Sequence, residues 1–276
     1  MKKKVLALIL CAMMAATAVV GGTLAYFTDT DSQKNVMTTG NVSIQQNEQE
    51  LKDGQLVDFT QNKPLMPMVD TRGENEPTVM QIDTEAYEKL DIFNPKMQNV
   101  VDKFVTVTNT APANAINQDV YVRTILAFET ATEYKEGTEE VLRDGKAIFK
   151  AYIGTLKDYV LLERDTIEID GVEYVLAVKV YEDALEPQET STTSLNQFFL
   201  SPEANNEVAT LFGSEYTILA LSQGTQTAGF IDSNGNETAA DEALNTAFGD
   251  LETIDEAKLV EWLSAVSTNT ETENNG

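Results

Sequence analysis

The sequence contains no histidine and only one cysteine, Cys11. The first absence removes the imidazole on which Ser-His and Cys-His catalysis depend, and with it the H-E-x-x-H zinc site. Zinc could then be held only by carboxylates, an unusual ligand set. Cys11 lies inside an amino-terminal apolar run, so no disulfide can staple the rest of the chain. It follows Leu10 in mid-run, whereas lipoprotein processing needs a cysteine at the end of the run after small residues. Neither G-x-S-x-G nor G-x-G-x-x-G occurs, and Gly137 and Gly145-Lys146 are too far apart for a phosphate-binding loop. Basic residues are scarce as well: 19 Lys and Arg stand against 45 Asp and Glu, a net charge of −26. Nucleic acids and anionic lipid surfaces are bound by clustered Lys and Arg, so both are disfavoured as partners.

What remains in quantity is carboxylate. Two carboxylates can run glycoside hydrolysis, but with 45 acids close pairs arise by chance and none stands out. Asp232-Ser233-Asn234-Gly235-Asn236-Glu237 resembles the opening of a calcium loop. An EF-hand loop needs Gly at its sixth position and Glu at its twelfth, where this chain has Glu237 and Ala243. The segment reads as a turn before a helix. No catalytic residues, no metal site and no cofactor are expected, and the chain is read as non-enzymatic.

The first 45 residues are the most informative. Lys2, Lys3 and Lys4 precede an apolar run from Val5 to Val20, followed by Gly21-Gly22-Thr23-Leu24-Ala25-Tyr26-Phe27-Thr28-Asp29-Thr30-Asp31-Ser32 and then Thr39-Gly40-Asn41-Val42-Ser43-Ile44. A basic region, an apolar region and small residues before a cut form a secretory signal. The run is marginal against the ~20 apolar residues of a membrane span. Small-x-small spacing allows a cut after Ala18 as readily as after Ala25.

The G-G-T-L-A-Y-F-T-D-T-D-S stretch and the following T-G-N-V-S-I resemble the export signal of the TasA/camelysin-like proteins of Gram-positive bacteria, substrates of the dedicated signal peptidase SipW. Val105-Thr106-Val107-Thr108-Asn109-Thr110 with Val120-Tyr121-Val122-Arg123 resembles a further segment of these proteins. So does Tyr216-Thr217-Ile218 with Gln226 to Phe230 and Ala247-Phe248-Gly249. The resemblance implies a cut between Ala25 and Tyr26, a jelly-roll core and export to the extracellular matrix or cell surface. Some relatives carry a protease label, which the missing histidine does not support.

Residue patterns point to a mainly β fold, a β-sandwich with helical additions. Val42 and Ile44 alternate as in a strand. Residues 62–77 hold three prolines and read as loop, and Thr84 to Phe93 as a short helix ended by Asn94-Pro95. Phe104 to Thr108 reads as a strand. Val120 to Phe128 is apolar on both faces, the mark of a central strand covered on both sides. Asp170-Gly171 between Ile167-Ile169 and Val172–Val180 signals a hairpin. Tyr216 to Leu221 and Thr227 to Ile231 supply further strands. Two helices close the chain. One spans Thr238 to Phe248 and stops at Gly249. The other opens on a capping box at Thr253–Glu256 and carries the stripe Ile254, Ala257, Val260 and Leu263, flanked by Trp262.

The organisation expected is a signal peptide at 1–25, an extended amino-terminal segment at 26–61, a sandwich domain at 62–266 and a polar tail at 267–276 without a second anchor. By resemblance, the mature protein is an exported subunit of extracellular fibres or biofilm matrix whose partners are copies of itself and SipW. The new amino terminus would complete a sheet in the next subunit, with Phe27, Val36, Val42 and Ile44 filling its groove. Against this stand an amino-terminal segment that belongs to its own sheet, a monomeric surface module for cations or glycans, and a camelysin-like metalloprotease.

Overall fold

The computed structural model describes residues 25–28, 36–39, 42–60, 63–84, 89–114, 118–130, 141–143, 146–152, 159–202, 215–228, 230 and 238–267. Their strands are β1 (Ala25–Thr28), β2 (Val36–Thr39), β3 (Ile44–Lys52), β4 (Gln55–Asp58), β5 (Lys63–Leu65), β6 (Val69–Asp70), β7 (Val79–Ile82), β8 (Leu90–Phe93), β9 (Met97–Gln98), β10 (Val101–Asn109), β11 (Val120–Thr130), β12 (Val141–Arg143), β13 (Lys146–Tyr152), β14 (Tyr159–Leu161), β15 (Ile167–Ile169), β16 (Val172–Val180), β17 (Leu195–Leu200) and β18 (Glu215–Gln226). Two helices follow, α1 (Ala240–Phe248) and α2 (Glu256–Ser267).

The fold is mainly β, as the residue patterns indicate. The first large sheet runs β14-β16-β11-β18-β1-β5, with β15 also on β16 and β2 also on β18. The second runs β12-β13-β17-β10-β3-β4, and there are two further two-stranded sheets, β6–β9 and β7–β8; Leu90 and Ile92 of β8 pack on Phe104 of β10. The inner faces pack together. Leu126 and Phe128 of β11, Val175 of β16 and Tyr216 and Ile218 of β18 meet Val105 of β10 and Leu195, Phe198 and Leu200 of β17. Fully burying one such side chain contributes about 1.5–3 kcal/mol.

The outer face of the first sheet is also covered. Ile125 and Ala127 of β11, Leu176 of β16 and Leu219 and Leu221 of β18 pack under Leu244 and Phe248 of α1 and Leu259 and Leu263 of α2. This is why β11 is apolar at successive positions: a strand between a sheet and a helical layer has no wet face. The hairpin at Asp170-Gly171 forms as its sequence indicates, with both residues at positive φ (52° and 83°). A second hairpin, β3–β4, turns on the same dipeptide, Asp53-Gly54, at φ 54° and 81°.

Several expectations are corrected. Leu90–Phe93, the end of the expected short helix, is strand β8 paired with β7. Leu90 and Ile92 are buried two residues apart, a strand period that outweighs helix propensity. Residues 85–88 lie outside the described residues. In α2 the cap is Asp255, whose Oδ1 accepts from the Ala257 N–H at 3.0 Å, while the Thr253 hydroxyl turns back to Asp250. The buried stripe is Leu259, Trp262, Leu263 and Val266, and Ala257 is exposed. Finally, residues 63–65 and 69–70, expected as loop, form the short strands β5 and β6, and β18 ends at Gln226, ahead of the strand expected from Thr227.

Arg123 joins α1 to the first sheet. It is buried on the helix-facing side of β11. Its Nε donates to Gln223 Oε1 (2.7 Å), Nη1 to Asn245 Oδ1 (2.8 Å) and Nη2 to the Gly249 carbonyl (3.0 Å). Burial pulls its pKa down to about 10, against the opposing pull of the Asp250 carboxylate, so it stays charged at neutral pH. A cation at the carboxy end of α1 also meets the negative end of the helix dipole. Arg123→Met would leave three acceptors without this donor and is expected to lower stability by about 3 kcal/mol. Urea unfolding at pH 7 measures the loss, and an unchanged midpoint would refute this anchoring role.

Candidate functional site: the outer edge of β18

A twelve-residue strand needs hydrogen-bond partners on both sides, and β18 obtains them differently on each. Toward the sheet interior it pairs antiparallel with β11 over Ile218 to Gln226. Its outer edge is occupied by two short parallel segments from the start of the same chain. Tyr26–Thr28 of β1 lies along Glu215–Thr217, and Val36–Thr39 of β2 along Ser222–Thr225. On its other side β1 pairs antiparallel with β5: Ala25 with Leu65, Tyr26 with Pro64 and Phe27 with Lys63. The Ala25–Tyr26 peptide therefore lies in a strand flanked on both sides.

The proposed groove residues fall as follows. Phe27 is placed by register between Tyr216 and Lys63. Val36 and Val42 are half-buried and Ile44 is buried, all against one small cluster of Val107, Val120, Val122, Tyr181 and Leu185. The structure thus brings three of the four to one place. Met37 turns the other way, toward the helical layer, and its sulfur accepts from Gln223 Nε2 at 3.7 Å. Gly224 sits beneath Ile44. A Cβ on it would lie 3.0 Å from Ile44 Cδ1 and 3.1 Å from Val120 Cγ1, so the glycine makes room for that anchor.

Sequence reading missed the inner face of β3. Ile44, Gln46, Glu48 and Glu50 are all buried there, three of them polar. Both faces of this strand are polar in sequence, so hydropathy alternation is silent. The one usable signal was the Asp53-Gly54 turn, which fixes the register of β3 on β4.

Near this edge a cavity of about 600 Å³ is lined by residues of β3, β5 and β10 with Thr60, Met66 and Asn99. Lys63 Nζ lies 2.5 Å from Glu50 Oε2 and holds β5 to β3 across it. Burial raises the Glu50 carboxyl, but the Lys63 ammonium and hydrogen bonds from Thr60 outweigh it, so its pKa lies below the ordinary value. Asp102, on the same wall, goes the other way. Burial pushes its carboxyl up, against hydrogen bonds from Gln197 and the Leu51 backbone.

Residues 1–69 match a family described as camelysin metallo-endopeptidase. The match supports the TasA/camelysin-like assignment carried by the export-signal residues. No curated protein and no solved structure matches the chain. The family's description overturns the expectation of a non-enzymatic chain, since it points to peptidase activity. The described residues do not fit the metal such an activity implies. The sequence has no histidine, and among the described residues no group of three or more Cys, Asp or Glu could hold a metal ion. Asp232–Glu237 lies outside the described residues. Among the described residues no helix is long and apolar enough to cross a membrane.

A group with a depressed folded pKa contributes stability above its unfolded pKa, and that stability is lost as pH falls through the folded value. Lys63→Met is therefore expected to weaken the β5 bracket by about 0.5–1 kcal/mol at pH 7. The difference should fade as pH drops below the ordinary glutamate range. Hydrogen exchange at Tyr26–Thr28 across that range checks both, and exchange as slow as in the parent at pH 7 would contradict the bracket.

Proposed function

We propose, from the chain's place among the TasA/camelysin-like proteins, that it is exported and cleaved at Ala25–Tyr26, and that it assembles into fibres of an extracellular matrix. The outer edge of β18 accepts the amino-terminal arm of a neighbouring copy. The observation that supports this is the pairing of β1 and β2 in tandem along one edge of one strand, through two short parallel ladders. An extended arm attached to the body by segments of four residues can exchange with the same arm of another copy, because both states make the same backbone bonds. Head-to-tail exchange does not close on itself and propagates as a filament. Val36, Val42 and Ile44 supply the side-chain anchors and Phe27 the outermost register position. Before the cut, the apolar run keeps the arm at the membrane. Afterwards the arm is free to engage a sibling.

Deleting Tyr26 to Met37 removes β1 and half of β2 and exposes the edge they cover. The truncated chain is expected to be a folded monomer that binds a synthetic peptide of residues 26–44 in trans. Fibres of normal length from the truncation, seen by negative-stain electron microscopy, would refute the donor role.

The family's description favours a second reading, a metallo-endopeptidase. Digestion of casein by the purified chain, abolished by a chelator and restored by zinc, is its expected result. Equal digestion with and without chelator would overturn it.

A further inference from the structure

Arg123, Gln223 and Met37 stand in one row across three neighbouring strands. The register places Arg123 of β11 opposite Gln223 of β18, and Gln223 beside Met37 of β2. Neighbouring strands lie about 4.8 Å apart, so side chains in such a row meet their neighbours directly. All three lie on the face of the first sheet that the helices cover, where Arg123 and Gln223 are buried and Met37 is half-buried.

The inner end of the row fixes its polarity. A guanidinium can only donate, so Gln223 turns its Oε1 toward Arg123 Nε, at 2.7 Å. The other atom of the amide, Nε2, is a donor and faces the arm. The Met37 sulfur is its acceptor, at 3.7 Å. On the far side Arg123 reaches the last turn of α1, through Nη1 to Asn245 Oδ1 at 2.8 Å and Nη2 to the Gly249 carbonyl at 3.0 Å, with the Phe248 ring 5.9 Å from the guanidinium carbon. Gly249 closes that turn by donating its N–H to the Asn245 carbonyl. Contacts therefore run without a break from the amino-terminal arm to the carboxy end of α1.

We propose that Met37 is a recognition residue of the arm, read by Gln223, and that Arg123 transmits its seating to the end of α1. The role of this device in a fibre rests on the exchange of arms proposed above; the coupling itself belongs to a single chain. Val36, Val42 and Ile44 hold the arm by apolar contact on the opposite face. Position 37 adds a different demand, an acceptor for a buried N–H. A leucine there fills a similar volume but accepts nothing, and leaving a buried donor unmet costs more than the bond itself contributes. When β2 lifts, the Gln223 amide is released to turn, Arg123 Nε loses a fixed acceptor, and the hold of the guanidinium on Asn245 and Gly249 loosens. An edge filled by its own arm or by that of a sibling presents the same sulfur to Gln223 and restores the same helix end. The end of α1 thus distinguishes a filled edge from an empty one. Such coupling is reciprocal, so a disturbance at α1 also weakens the seating of the arm.

Hydrogen exchange of the folded full-length chain in dilute solution, read by mass spectrometry over residues 36–39 and 245–249, tests the proposal. Met37→Leu is expected to speed exchange about fivefold over 36–39 and about threefold over 245–249, with residues 126–128 in the middle of the sheet unchanged. Asn245→Ala cuts the row at its α1 end and is expected to speed exchange over 36–39 by about threefold. A side chain that merely packs would affect its own strand alone. Unchanged exchange over 245–249 in Met37→Leu, or over 36–39 in Asn245→Ala, therefore overturns the proposal. Fibres do not enter the readout: a chain that forms none yet shows both changes refutes the proposed assembly and leaves the coupling standing, and fibres without these changes refute the coupling alone.

Discussion

The outer edge of β18 is the constraint on which the amino-terminal part of this molecule depends. Its twelve residues present hydrogen-bonding groups on both sides, and β11 satisfies only the inner side. An uncovered edge of that length invites pairing with another chain. Here the chain's own start covers it, in two pieces rather than as one strand, and in parallel register. Parallel pairing is slightly weaker per residue than antiparallel pairing. The arm therefore relies on a few side-chain anchors: Val36, Val42 and Ile44 on one small cluster, with Gly224 leaving room for the last of them. Strand β5 closes the far side and is held through Lys63 to Glu50.

Away from that edge the interior changes character. Between β11, β16, β18, β10 and β17 it is a conventional apolar sandwich core. Toward β3 it becomes polar, with Gln46, Glu48 and Glu50 facing inward. Among the described residues of a strongly acidic chain, three basic side chains are deeply buried, each with its own acceptors. Lys103 meets Glu48, Arg123 meets the end of α1, and Lys179 donates to Thr192 Oγ1 and the Thr193 carbonyl. Buried charges persist only where fixed partners replace water. These three contacts consequently specify which strand, helix or loop lies against which. The polar interior is also where β3 follows on from β2.

The family description and the residue chemistry pull in different directions. The match over residues 1–69 covers the amino-terminal apolar run and the strands that border the β18 edge, and the family's description is a metallo-endopeptidase. The described residues offer no cluster for a metal. What those 69 residues do build is the arm, strands β3 to β5 and the start of β6. The matched region therefore includes the segments that pair along the outer edge of β18.

Much of the β architecture was legible because burial leaves a periodic trace. Strand β11 is apolar on both faces because both are covered, and Asp170-Gly171 announces its hairpin through the positive φ that both positions adopt. Where the trace is weak, the reading failed. Leu90–Phe93 is too short to separate a two-residue period from a helical one. Asp255 rather than Thr253 caps α2, since cap choice depends on where the preceding turn points. Strand β3 is polar on both faces, so nothing in its own hydropathy marks its inward side. Local sequence determined the strands, the turns and the amphipathic helices, because each depends on neighbours along the chain. Tertiary structure alone decided that the arm lies parallel on β18, that Gln46, Glu48 and Lys103 converge, and that Arg123 meets the end of α1. Those contacts join residues from about 55 to 190 positions apart, and which surfaces meet is set by the packing of whole sheets rather than by local sequence.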